Sequence, residues 1–211
     1  LLAGSLVLVV SVACAMTLLV FGQGRMAARS VAGTELDEIS NRVVYRVGQL
    51  LHAAEMTAES ASRAMGGRAL AAAEWETIFT RLVPAFEQRP ELTYLGFSLA
   101  ATGEAAFLRR RADGLMEWLV YIDDAEGKRV IRTHRYQGGR FYLVDETPWD
   151  GYDPRNRPFF QQAVSARKPG WTESYPFTDY EGRRPINGVT YVLPVFTPAG
   201  ALAGVWDADY D

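Results

Sequence analysis

Hydrophobic and polar positions alternate along this chain in three different ways, one after another. Residues 1 to 22 carry no charged side chain, and from Leu6 to Phe21 they are almost continuously apolar, through Leu6, Val7, Leu8, Val9, Val10, Leu18, Leu19 and Val20. About 20 such residues suffice to cross the hydrocarbon layer, because a helix satisfies its own backbone groups there. A transmembrane helix is therefore expected over residues 1–23. A cleaved signal peptide is the rival reading; its apolar run is shorter, about 7–15 residues, and follows a basic region. The chain opens at Leu1 with no basic region, which reads as a fragment lacking its upstream end. Arg25 and Arg29 follow the run and, taken alone, would keep the next segment cytoplasmic; a missing upstream flank can outweigh them.

The second pattern is helical. From Gly24 to about Arg68 proline is absent, and Leu36, Ile39, Val43, Val47, Leu50 and Ala54 recur at spacings of three or four, which predicts a long helix with one face to bury. Gly66 and Gly67 mark its weakening. A second helix is expected over about Ala71 to Gln88, with Trp75, Ile78, Phe79, Leu82 and Val83 toward its packed side and Pro90 beyond its end.

After Pro90 the pattern shortens to strands. Leu92–Leu99, Ala105–Arg110, Leu115–Ile122, Arg129–Tyr136, Arg140–Val144, Gly188–Phe196 and Ala201–Tyr210 are separated by turn residues, among them Gly103, Gly127, the pair Gly138 and Gly139, and Thr197 to Gly200. Helices followed by a run of short strands predict an α+β fold built on an antiparallel sheet. The expected organisation is a membrane helix over 1–23, a stalk helix over 24–68 and a globular module over 69–211.

Charge narrows the partners. With 22 basic and 25 acidic side chains and a formal net charge of −3, the chain lacks the electrostatic footprint of a nucleic-acid binder. A small molecule or another protein is the better expectation. The single cysteine, Cys14, lies inside the apolar run and excludes an intrachain disulfide. His52 and His134 are the only histidines, and no metalloprotease helix, phosphate loop or nucleophile elbow occurs, so no enzyme is indicated. Asp145, Glu146 and Asp150 form an acidic stretch without the spacing of a calcium loop; neither metal nor cofactor is expected.

The least regular segment carries the most chemistry. Residues 149–161 run from Trp149 through Asp153, Pro154, Arg155, Asn156 and Arg157 to Pro158, Phe159, Phe160 and Gln161. Pro158 holds Arg157 out of helical geometry and suits the first position of a helix through Phe159, Phe160 and Ala163. An arginine at that mouth, beside aromatic groups, can grip a carboxylate with two parallel hydrogen bonds. A structural role stays open, with Arg157 pairing to Asp153, Asp207 or Asp209 and holding the loop closed.

The sequence from Tyr152 through Asp153, Pro154 and Arg155 to Arg157, Pro158, Phe159 and Phe160, ending Gln161-Gln162-Ala163, resembles the signature of double Cache sensor domains. The family's usual form is Asp-Pro-Arg followed by Arg-Pro-Trp-Tyr. The likeness continues at Trp171, Tyr175 and the closing run Gly204-Val205-Trp206-Asp207-Ala208-Asp209. It implies an extracytoplasmic sensor of a bacterial signalling receptor, anchored in the inner or cytoplasmic membrane with residues 24–211 outside. It also implies a PAS-like distal module on a stalk helix that dimerises, with the family's membrane-proximal module absent.

Some members bind amino acids through an arginine, a tryptophan and a tyrosine of this signature, with a later tyrosine and an aspartate. On that pattern Arg157, Tyr175 and Asp209 match, while Phe159 and Phe160 stand where tryptophan and tyrosine are usual. The aromatic wall is kept but two polar handles are lost, which leaves amino acids, other carboxylates, amines and less polar metabolites as ligand classes. Asp207 shares the face of Asp209 under strand alternation and is the alternative acid. Trp118, Tyr121 and Tyr142, with Arg132, His134 and Tyr136, are further pocket candidates. The competing expectation is a structural or protein-interaction module whose stalk dimerises and whose distal fold binds nothing.

Overall fold

The computed structural model describes residues 2–64, 66, 71–149, 151–177 and 186–210, and for residues 2–15 and 26–34 the backbone alone. Cys14 and Arg29, as side chains, and Gly67 and Asp150 lie outside the described residues. The chain divides into two units, Leu1–Gln49 and Leu50–Asp211. The first is helix alone.

Helix α1 runs without interruption over Leu2–Ala64, so its backbone makes no distinction between the expected membrane helix and the stalk. Among the described residues no helix is long and apolar enough to cross a membrane, and the side chains of residues 1–15 lie outside them. Along the first unit the stripe stays open to solvent, with Leu36 66 %, Ile39 57 %, Val43 55 % and Val47 47 % exposed. Burial begins only in the second unit, where Ala54, Ala58 and Ala61 are fully covered. These small side chains, spaced four and three apart, let the helix backbone approach the sheet closely.

The helix stops before the two glycines. Gly66 takes φ +68°, open to glycine at little cost, and its N–H donates to the Arg63 carbonyl at 2.9 Å. A 3-10 turn over Ala72–Glu74 leads into α2, Trp75–Glu87, which buries Trp75, Phe79, Leu82, Val83 and Phe86.

The remaining elements are β1 (Tyr94–Leu99), β2 (Ala105–Arg110), β3 (Met116–Asp123), β4 (Arg129–Gln137), β5 (Arg140–Pro148), α3 (Pro158–Ala166), β6 (Gly170–Trp171), β7 (Tyr175–Pro176), β8 (Asn187–Phe196) and β9 (Leu202–Tyr210). They form a nine-stranded antiparallel sheet in the order β5-β4-β3-β2-β1-β9-β8-β6, with β7 pairing β8 from outside that path. The fold is α+β, with the last turns of α1 packed on an antiparallel sheet. β5 extends four residues past the expected end at Val144. Its far half is exposed, so alternation gives no signal there, and the acidic Asp145 and Glu146 belong to the strand; Glu146 accepts from Arg132 Nε at 2.6 Å.

The sheet has two working faces. On the helix face, Phe79 of α2 lies 5.9 Å, ring to ring, from both Trp118 and Trp206, and Phe97 lies 5.0 Å from Trp206. Burying such a ring contributes roughly 1.5–3 kcal/mol. Helix and sheet are also joined by polar contacts: the Tyr210 hydroxyl donates to the Leu50 carbonyl, and Trp171 Nε1 donates to Glu55 Oε1 at 2.9 Å. The rings of Trp171 and Tyr210 stack with 17° between their planes. The opposite face carries the chemistry.

Candidate ligand-binding cavity

Register decides which residues meet on that opposite face. β1 lies between β2 and β9, so Tyr94 sits across from Asp209 on one side and Arg109 on the other, and Gly96 between Asp207 and Phe107. Because side chains alternate along a strand, Tyr94, Phe107, Leu119, Tyr121, Asp207 and Asp209 all rise from the same surface. They floor a cavity of about 50 Å³.

The walls come from the segment after β5. Tyr152, Arg157 and Phe159 line one side, Tyr175 and Phe177 another. The local fold explains how Arg157 is presented. Asp153 caps the 3-10 turn Pro154–Asn156 by accepting from the Arg155 N–H at 2.9 Å, and its carboxylate also accepts from Arg155 Nη2 at 2.7 Å. Arg155 Nη1 then donates to the Ala101 carbonyl at 3.1 Å in the β1–β2 turn. Gly103 in that turn has φ +75°, and a Cβ there would fall 2.9 Å from both Arg155 Nε and Asp153 Oδ1. The Asp153-Pro154-Arg155 run is thus the pin that fastens the loop. Asp153 pairs with Arg155, not with Arg157.

Arg157 is left to the cavity. It occupies the N-cap of α3 at φ −85° and ψ 150°, as the following Pro158 requires. Its Nη2 donates to the Pro176 carbonyl at 2.8 Å, and the guanidinium lies 5.5 Å from the centre of the Tyr175 ring. The Tyr175 hydroxyl and Thr190 Oγ1 are 2.7 Å apart. Burial first, then the charge of Asp209, pushes the Tyr175 hydroxyl far above its ordinary pKa, so this group stays a neutral hydrogen-bonding phenol.

Asp207 is 1 % exposed. Burial, and after it the neighbouring Asp209, pushes its carboxyl well above the usual carboxylate range. A folded-state pKa above the unfolded one means that the folded chain binds more protons between the two values. The stability is then fully present below the unfolded value, near 4, and is lost as pH rises through the higher folded value. Asp207→Asn should flatten that slope. Denaturation midpoints taken from pH 4 to 8 check this; parallel profiles for the two proteins would show that Asp207 is not held protonated.

The sequence-derived candidates divide by location. Arg157, Asp209, Tyr175, Phe159, Tyr121 and Asp207 come together around the cavity. Phe160 is buried with Ala163, Val192 and Val205, where it packs α3 onto β8 and β9. Trp118 points to the helix face, its ring 4.8 Å from His134 and 5.2 Å from Phe141. Tyr142 is 53 % exposed on the edge strand. His134 and Arg132 pair with Trp118 and Val120 across β3, which places them and Tyr136 on the helix-face side as well. Tyr94, Phe107, Leu119, Tyr152 and Phe177 complete the lining, and no sequence motif marks them as site residues. Tyr94 and Phe107 become visible only once β1 is known to join β2 to β9.

Among solved structures, the chain is similar to the periplasmic sensory domain of the Campylobacter jejuni chemoreceptor Tlp1, with 9 % identity and a TM-score of 0.44 over 78 % of this chain and 53 % of the other. It is also similar to methyl-accepting chemotaxis protein X, with 16 % identity and a TM-score of 0.40 over 77 % of this chain and 57 % of the other. The chain spans little more than half the length of either structure. No protein-family model and no curated protein matches the chain.

Proposed function

We propose that this chain is the ligand-sensing region of a bacterial transmembrane signalling receptor, lying outside the cytoplasm, and that the cavity between the sheet and α3 receives a small molecule. The observation that carries this reading is a single cavity lined by Arg157, by two carboxylates, Asp207 and Asp209, and by seven aromatic side chains. Arg157 takes the anionic end of a ligand through its planar fork of donors. Asp209 takes the cationic end. The aromatic walls exclude water from both contacts and offer their faces to a cation. Amino acids, amines and small carboxylates are the classes this fits, within the double Cache resemblance of the Arg157 segment. No catalytic step is assigned to the chain.

β9 provides a route from the cavity to the helix. Asp209 lies on the cavity side, and its neighbour Tyr210 on the helix side holds the Leu50 carbonyl. A shift of β9 on ligand capture would therefore be felt by α1. It signals only if the ligand prefers one of two positions of that strand. The open stripe from Leu36 to Val47 supports a second part of the reading, that α1 pairs with a second copy through this face.

The test is calorimetric titration of the full chain in a mild non-ionic detergent with amino acids, amines and organic acids. Saturable binding is expected, weakened by about tenfold or more in Arg157→Ala, the worth of one charge-assisted hydrogen bond. A folded protein that binds none of the set would overturn the reading.

A further inference from the structure

The resemblance accounts for Asp209 but gives no role to Asp207, and the cavity holds one more carboxylate than a simple zwitterion needs. Asp207 and Asp209 are two positions apart on one face of β9, which sets their α-carbons about 7 Å apart. Asp207 is 1 % exposed, and its Oδ1 has no hydrogen-bond partner among the described residues. It makes no ion pair with any described cation; Arg157 Nη2 donates to the Pro176 carbonyl and its guanidinium lies by the Tyr175 ring. A buried acceptor left open is costly, and more so if charged. Such a group in a native fold calls for an explanation, and one aimed into an aromatic cavity has an evident one.

The chemistry of the missing partner follows from the setting. It must be a cation with N–H donors pointing in more than one direction, since two carboxylates have to be served from one place. It must also leave water cheaply, because the walls are aromatic rings. A compact ammonium is strongly hydrated. A guanidinium is planar, weakly hydrated, stacks on aromatic faces and presents five donors in a rigid fork. We infer, on the reading just proposed that this cavity is a ligand site, that Asp207 and Asp209 together receive one guanidinium or amidinium group, and that Asp207 is the residue that selects it over a lone ammonium.

This assignment has a signature that ordinary packing would not produce. In the empty cavity burial and the charge of Asp209 favour the protonated form of Asp207. A cation arriving between the two acids favours the ionised form, so binding releases a proton to the buffer. The ionisable groups that line the cavity with Asp207 are Asp209 on its own strand, Tyr94 from β1, Tyr121 from β3, Tyr152 before α3, Tyr175 from β7 and Arg157 at the start of α3. β8 sets Thr190 and Val192 beside the two acids, neither of which titrates. Affinity for the cation accordingly rises with pH.

The full chain in detergent is titrated with methylguanidine, agmatine and arginine, and in parallel with methylamine, butylamine and alanine, in two buffers of different ionisation enthalpy. The guanidino series should bind about tenfold or more tightly than the ammonium series, and should release up to about one proton per ligand. In Asp207→Asn, which keeps the side-chain shape, both the preference and the proton release should vanish. Undiminished guanidino binding by Asp207→Asn, or binding by the wild type without proton release, overturns the role of Asp207 and leaves the sensing function standing. The proton count on the wild type decides the matter even if the variant does not fold. Binding of neither series overturns both readings together.

Discussion

Replacing Glu117 by alanine should cost about 3–5 kcal/mol of folding stability, the usual effect of removing one member of a buried ion pair. Glu117 on β3 is 2 % exposed and stands directly across from Arg109 on β2 and Arg135 on β4. It accepts a hydrogen bond from Arg109 Nη2, lies 3.3 Å from Arg111 Nη1 and reaches Arg135 Nη2 at 4.0 Å. Burial acts against the charge on Arg109, yet the hydrogen bond and charge of Glu117, helped by Tyr94, hold its pKa above the ordinary arginine value. Without Glu117 this guanidinium, 9 % exposed, keeps its charge and loses its counterion. Arg111 and Arg135 are more exposed and can turn to water.

A double replacement, Glu117→Ala with Arg109→Met, should therefore recover much of the loss. Urea unfolding of the wild type, the single variants and the double variant measures the coupling. A loss below about 1 kcal/mol for Glu117→Ala would mean that the pair is solvated in solution and worth no more than a surface bridge. Tyr94 touches this network from the cavity side, so the same measurement in the presence of a bound ligand reports whether the two regions share stability.

The sequence was legible where a local rule acts alone. Strand alternation was enough to put Asp207 and Asp209 on one face, and Pro158 was enough to set Arg157 at the mouth of α3. The turn between β4 and β5 was readable for the same reason, since Gly138 and Gly139 take φ +58° and +85°, a pairing that favours a tight two-residue turn. Legibility failed where the answer depends on a distant partner. Trp118 and Tyr121 lie three residues apart on β3 and point to opposite faces, and nothing in their neighbourhood tells which face is core and which is cavity. That is decided by α2 covering one side and by β9 pairing with β1 across more than a hundred residues of chain. β6 and β7 are two residues each, too short for any periodicity. The helical stripe of α1 was visible, but its burial begins only near Ala54, because what covers a stripe is not written in the stripe.

Gly96→Ala should abolish ligand binding and cost about 1–3 kcal/mol of stability through overpacking. Gly96 is the one place on the cavity floor where β1 has no side chain, with Phe107 on one flank and Asp207 on the other. A Cβ there would fall 2.2 Å from Phe107 Cδ1 and 2.8 Å from Asp207 Oδ2. The Phe107 ring already meets Tyr121 edge to face at 5.7 Å, so its way out leads into the cavity. Gly204→Ala is the matched control. Its Cβ would fall 2.5 Å from Phe97 Cζ and 2.6 Å from the Ser98 carbonyl, a similar collision among residues that do not line the cavity. Because one of these atoms is backbone, the control should lose at least as much stability and yet keep its binding. Calorimetry of both variants, run well below their unfolding midpoints, separates the outcomes: equal loss of binding in the two would trace the effect to general destabilisation, whereas loss confined to Gly96→Ala ties recognition to the space between Phe107 and Asp207.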